Sequence, residues 1–265
     1  MSLEVRELTL RLGERVLVDR LSFSVADGER FGIIGESGSG KSLTTLAVLG
    51  LLPDAITATG SIRLDGLEII GMPERELARI RGRRVGAVFQ DPQTALNPMR
   101  RIGDQLVEPL LLHGLVSRRD RAERRRQAVR LAGLVRLPEP ELIVERFPHQ
   151  LSGGQRQRVG IGIAVAASPQ LLLADEPTTA LDVTIQSDIL ALFNALVADA
   201  GTSLVFVTHD LAVLSDVADT LLVLAGGVAV ERGSVTELIS NPQHPVTAGL
   251  VAAARRTSFT PEDAR

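Results

Sequence analysis

Residues 35–42 read G-E-S-G-S-G-K-S, the spacing G-x-x-x-x-G-K-[ST] with which a loop cradles phosphates. Gly35, Gly38 and Gly40 allow backbone angles that other residues resist, so the N–H groups along Glu36, Ser37 and Ser39 can turn toward one phosphate chain. Lys41 would neutralise the β- and γ-phosphates, and Ser42 would offer its hydroxyl to Mg²⁺. The same letters also fit an ordinary glycine turn. Lysine usage argues against that: of 29 basic residues, Lys41 is the only lysine. A chain that otherwise takes its positive charge from arginine places its one ammonium here.

Four other stretches carry chemistry. Leu171 to Glu176, L-L-L-A-D-E, is an apolar run closed by two acids, the place where a sheet behind such a loop presents a carboxylate to Mg²⁺. Asp175 is the expected metal partner. Glu176 is the expected general base for the attacking water, a role worth ~10²–10⁴ in rate. Gln90 ends another apolar run and can hold either Mg²⁺ or the water. His209, in V-T-H-D, can grip the γ-phosphate. Ser152, Gly153, Gly154 and Gln155 open a helix with small residues and so offer a second anion-binding N-terminus, for which a lone phosphate loop has no use.

These residues need elements to position them. The apolar run Phe31 to Ile34 predicts a buried strand delivering the loop, and Leu43 to Leu52 a helix whose positive end faces the anion. Alternation from Leu3 to Val25 predicts an antiparallel β layer, and Asp65-Gly66 a hairpin between Ser61–Leu64 and Leu67–Ile70. Pro73 to Arg81 reads as a short helix and Arg84 to Gln90 as a strand, followed by turn chemistry at Asp91-Pro92. Ile102 to Leu112 and Ser117 to Val135 predict helices. The arginines from Arg118 to Arg130 read as a solvated face supported by Asp120 and Glu123. Strands at Leu171–Ala174 and Ser203–Thr208 alternate with helices at Asp182–Ala200 and Ala212–Ala218, and a last hairpin starts at Val223. The tail after Pro242 reads as polar and peripheral. The order predicts an α/β fold with a largely parallel sheet, an antiparallel flap and a helical insertion.

Composition narrows the function classes. With 45% hydrophobic and 23% charged residues and a net charge of -3, the chain lacks the cationic field that nucleic-acid binding favours. It has no cysteine, which removes disulfides, thiolate catalysis and Cys-ligated zinc or iron–sulfur centres. Met1 to Arg20 is charged throughout and does not read as a secretory signal. The most apolar region, Val159 to Ala174, is interrupted at Ser168, Pro169 and Gln170 and does not read as a membrane span.

Taken together, G-E-S-G-S-G-K-S, V-F-Q-D, L-S-G-G-Q, L-L-L-A-D-E-P-T-T-A-L-D and V-T-H-D occur in an order that resembles the nucleotide-binding subunit of ABC transporters. The resemblance covers nearly the whole chain and implies a P-loop NTPase (RecA-like) core at 1–92 and 160–240, a helical subdomain at 93–159 and a tail at 241–265. It implies a sandwich in which the phosphate loop of one subunit and Ser152 to Gln155 of a second, identical or related, enclose each ATP. Asp182 matches the loop that crosses between the two sites. Leu12 is the nearest candidate to stand where the family stacks adenine on an aromatic residue, this chain having no Tyr or Trp.

Q-D-P-Q-T-A-L-N-P at 90–98 and N-P-Q-H-P-V-T-A-G-L at 241–250 are similar to segments of the peptide and nickel importer branch. That implies transmembrane permease subunits docked on the helical insertion, an external solute-binding protein, and a place on the cytoplasmic face of the membrane. Relatives of this branch often carry a cysteine-rich extension; these 265 residues hold no cysteine, so no iron–sulfur cluster is expected. Two alternatives are an ABC-type ATPase serving a soluble enzyme assembly, such as a carbon–phosphorus lyase complex, and a DNA-repair or ribosome-associated ABC protein. A single phosphate loop and the lack of coiled-coil heptads weigh against the latter.

Overall fold

A computed structural model describes residues 3–90, 96–179 and 181–257. The Asp91-Pro92 turn, the rest of the segment through Ala95, Ala180 and the tail beyond Thr257 lie outside the described residues. The first half runs β1 (Leu3–Leu12), β2 (Arg15–Val25), β3 (Arg30–Gly35), α1 (Lys41–Val48), β4 (Ile56–Leu64), β5 (Leu67–Glu68), α2 (Glu74–Ile80), β6 (Val85–Val88), α3 (Ile102–Leu106), α4 (Glu108–Leu112) and α5 (Arg121–Leu134). Then come α6 (Pro140–Ile143), a 3₁₀ turn (Pro148–Gln150), α7 (Gly153–Val165), β7 (Leu171–Asp175), α8 (Val183–Ala200), β8 (Ser203–Thr208), α9 (Leu211–Val217), β9 (Thr220–Ala225), β10 (Val228–Ser234), α10 (Val235–Ser240) and α11 (Pro245–Thr257). The chain forms two compact units, Met1–Met72 with Ser203–Arg265, and Pro73–Thr202.

In the first unit, β2-β1-β4-β5 form an antiparallel sheet, and β3 lies between β8 and β9, parallel to both, with β10 antiparallel on β9. β8 is buried along its whole length and β3 from Phe31 to Gly35, as expected of parallel strands covered on both faces. The rings of Phe23 on β2 and Phe31 on β3 stack at 5.3 Å, and the Arg232 guanidinium covers Phe31 at 5.3 Å, so the two layers share a core.

The tail after Pro242 differs from the sequence expectation. Pro245–Thr257 is a helix that buries Thr247 and Val251, four residues apart, toward α9 and α10. Glu231 on β10 ties its entry down by accepting the backbone N–H groups of Gln243 at 2.9 Å and His244 at 3.0 Å.

In the second unit, β6 and β7 pair in parallel, Val88 opposite Ala174. The helix expected over Ile102–Leu112 is two, meeting at Val107. Pro109 has no N–H to give the carbonyl of Gln105, four residues back, so the ladder breaks there. The helix expected from Ser117 starts at Arg121, where the Asp120 side chain caps it by accepting from Glu123 N at 2.9 Å; an aspartate cap outcompetes the weaker turn at Ser117. Three of its arginines are tied to carboxylates: Arg124 to Asp104 at 2.9 Å, Arg125 to Glu145 at 2.5 Å and Arg126 to Glu123.

Candidate nucleotide site

The phosphate loop leaves β3 and ends in α1. Gly38 and Gly40 take φ of 80° and 100°, the left-handed region where side chains are strained. Gly35 is required for a different reason than its backbone angle: a Cβ there would stand 2.2 Å from the Leu224 carbonyl oxygen of the neighbouring strand β9. Gly40 caps α1 without any side-chain hydrogen bond. With no side chain at the cap position, the start of the helix can be approached closely by an anion.

Lys41 is only 5% exposed. Its ammonium donates to the carbonyl oxygens of Gly35 at 2.7 Å and Glu36 at 2.9 Å, which compensates burial of the charge and holds it on the inside of the loop. Thr44 and Thr45 close the first turn by donating to the carbonyls of Gly40 and Lys41. Ser42 lies exposed at the same helix start, while Ser39 is buried. In the same unit, Thr208 pairs with Ile34 across the parallel strands, so His209 emerges at the carboxyl end of β8 beside the end of β3. Leu12 ends β1 at 46% exposure, opposite Arg15 and Ile56. It is an open apolar side chain at the sheet's end.

The second unit carries the acids. β7 is buried throughout and ends on Asp175, itself buried. Continuing the β6–β7 register past Val88 and Ala174 brings Gln90 level with Glu176. Glu176 turns off the strand with φ 46°, and its Oε2 accepts the Thr179 hydroxyl at 3.0 Å. Neither feature has a signal in the sequence, since no glycine or asparagine marks the turn at 176.

Ser152 caps α7 through a reciprocal pair: its Oγ accepts Gln155 N at 3.3 Å, and Gln155 Oε1 accepts Ser152 N at 3.0 Å. This capping box gives Gln155 a structural task at the helix start. Gly153 and Gly154 form the first turn, and a Cβ on Gly154 would meet Ile185 Cγ2 at 2.8 Å. Asp182 caps α8 by accepting from the N–H of the same Ile185 at 3.0 Å. The two helix starts named by the sequence are thus brought together within this unit.

The model of the ABC transporter family matches residues 18–179. The oligopeptide transport ATP-binding protein OppD of Bacillus subtilis is 44% identical over 257 residues, 95% of this chain and 71% of that protein. OppD of Salmonella typhimurium is 42% identical, over 96% of this chain and 76% of its own length. The glutathione import ATP-binding protein GsiA of Pectobacterium atrosepticum is 44% identical over 94% of this chain and 41% of its own. Among solved structures, the dimeric ATP-binding cassette MJ0796 in a post-hydrolysis state bound to ADP and Pi superposes with a TM-score of 0.76 at 28% identity, covering 88% of this chain and 98% of that one. That superposition extends the likeness from sequence to fold, and with a family match running from β2 to the turn after β7, the chain belongs to the ABC transporter family.

Proposed function

We propose that this chain is the ATP-hydrolysing subunit of a peptide importer, working on a partner permease. The observation that carries the reading is the buried Lys41 ammonium inside a loop whose helix start has no side-chain cap, in a chain over 40% identical to oligopeptide transport ATP-binding proteins along nearly its whole length. The backbone of Gly35 to Ser42 and the Lys41 charge hold the β- and γ-phosphates, and His209 holds the γ-phosphate. Water attacks the γ-phosphorus, Glu176 takes its proton, and the bond to the bridging oxygen breaks to leave ADP and phosphate.

Ser42, Asp175 and the Gln90 carbonyl are hard oxygen donors, the chemistry Mg²⁺ selects. When bound, the ion supplies charge neutralisation on the phosphate oxygens. Ser152 to Gln155 and Asp182 serve the nucleotide held by a second ATPase subunit, and Leu12 gives adenine an apolar contact. ATP closes such a pair, hydrolysis reopens it, and a permease coupled to the motion alternates between states. Among the described residues no helix is long and apolar enough to cross a membrane, and the proposal places the subunit at the cytoplasmic face, with a solute-binding protein delivering the cargo. Glutathione, itself a short peptide, falls in the same cargo class.

The test is Glu176→Gln. It should bind ATP, hydrolyse it at least ~10²-fold more slowly and accumulate an ATP-dependent dimer on size exclusion. Hydrolysis at the wild-type rate would reject Glu176 as the base. Co-purification with a soluble lyase assembly in place of a multi-span membrane protein would reject the importer.

A further inference from the structure

Glu176 adopts the left-handed backbone conformation, φ 46°, uncommon for a residue with a long side chain and sustained only where surrounding contacts over-determine it. Three residues later the chain returns to it twice. The Thr179 hydroxyl donates to Glu176 Oε2 at 3.0 Å, and the Thr179 N–H reaches the Glu176 carbonyl oxygen at 3.4 Å. A glutamate carboxylate otherwise turns about three side-chain torsions, the last of them broad. Here one oxygen is held by a donor on the same turn. Thr179 itself is exposed.

We propose that Thr179 is a positioning residue for hydrolysis, its hydroxyl fixing the orientation in which the Glu176 carboxylate meets the attacking water. This rests on the reading of Glu176 as the base. A base works only within hydrogen-bond reach of the proton it takes, and a displacement of about 1 Å can cost ~10²-fold in rate. A donor that holds the carboxylate before the nucleotide arrives removes that search. Valine at 179 keeps the branched shape and drops the donor, and serine keeps the donor.

Steady-state ATP hydrolysis of Thr179→Val, Thr179→Ser, Glu176→Gln and the double variant Glu176→Gln/Thr179→Val, with single-turnover rates for the slow ones, decides the matter. Thr179→Val should lower kcat roughly 3- to 10-fold, the size expected when one exposed hydrogen bond of ordinary strength is removed, with KM for ATP unchanged. Thr179→Ser should return to within about twofold of wild type. On the Glu176→Gln background the valine should add no further loss, because Thr179 acts only through that carboxylate. A crystal structure of nucleotide-free Thr179→Val should show the Glu176 carboxylate turned from its present orientation. Wild-type kcat in Thr179→Val beside a slow Glu176→Gln overturns the proposal and leaves the base intact. An equal loss on both backgrounds overturns it too, since Thr179 would then act elsewhere. Wild-type hydrolysis by Glu176→Gln removes the base and this proposal with it.

Discussion

Gly154 and Ile185 meet at a separation that leaves no room for a methyl group: a Cβ on the glycine would lie 2.8 Å from Ile185 Cγ2. One turn further along, Arg158 reaches Asp188 at 3.2 Å. The starts of α7 and α8 are therefore joined by a packing contact and an ion pair. Ser152 caps the first and Asp182 the second, so the two stretches expected to face a second subunit share one rigid support.

That contact predicts a coupling. Gly154→Val should destabilise the protein by about 1–3 kcal/mol through overpacking. Ile185→Ala, which vacates the space, should make the glycine substitution nearly silent for stability in the double variant. Urea unfolding of the four proteins measures the coupling energy; strict additivity would show that the two side chains do not meet.

The helix α7 supplies an internal contrast. Gly162 is buried, and a Cβ there would lie 2.7 Å from Leu106 Cδ2, with Val135 next at 3.4 Å. At Gly160 nothing stands within 4 Å. Gly160→Ala should thus gain up to ~1 kcal/mol of helix propensity. Gly162→Ala should lose stability, because fully buried Leu106 cannot swing aside. Thermal melts of the two variants should move in opposite directions.

The placement of the candidate residues was legible in the sequence where it depends on local spacing. Lys41 and Ser42 follow their glycines at a fixed distance, and Asp175 and Glu176 close a run apolar enough to be a buried strand. What escaped depends on contacts that spacing does not encode. Gly35 is a glycine because the Leu224 carbonyl, far along the chain, presses on it. Glu176 is left-handed without any residue that favours it. Pro109 did carry a signal, since a proline eight residues into a helical run interrupts the ladder at its partner carbonyl. The helix Pro245–Thr257 also carried a signal, Val246, Leu250, Val251 and four alanines behind a proline start, which a reading of the tail as polar passes over.

Lys41 predicts a failure of the conservative replacement. At 5% exposure, with its ammonium 2.7 and 2.9 Å from two carbonyls, the site suits a compact point charge and not a planar guanidinium. Lys41→Ala should weaken ATP binding at least ~10-fold, the loss of one charge-assisted contact of about 1.4 kcal/mol or more. Lys41→Arg should fall with it and not restore affinity, although 28 other basic residues in the chain are arginines. Calorimetric titration with ATP gives both affinities, and a wild-type value for Lys41→Ala would contradict the phosphate-loop assignment.

Glu231 makes the attachment of α11 depend on pH. Burial pushes its carboxyl pKa up, but this is outweighed by the Thr247 hydroxyl, which faces the carboxylate without full hydrogen-bond geometry, by the N–H groups of Gln243 and His244, and by the nearby His244 charge. The net result holds the group below its ordinary value of 4.5. A carboxyl whose pKa is lower folded than unfolded stabilises the fold above the unfolded value, and that stability is lost as pH falls through the folded one. Glu231→Gln keeps the shape and abolishes the titration. Its melting temperature should lie below that of wild type at neutral pH, and the gap should shrink on acidification below 4.5 as the wild-type carboxyl takes up its proton. Glu68, whose carboxyl is lowered despite burial by Ser61, by the amides of Ile62 and Ile70 and by Arg63, titrates in the same range in both proteins and cancels in the comparison. Amide exchange in Pro245–Thr257 should accelerate in the variant while the core strands β3 and β8 stay protected. A gap in melting temperature that does not change with pH would show that Glu231 holds the helix by shape alone.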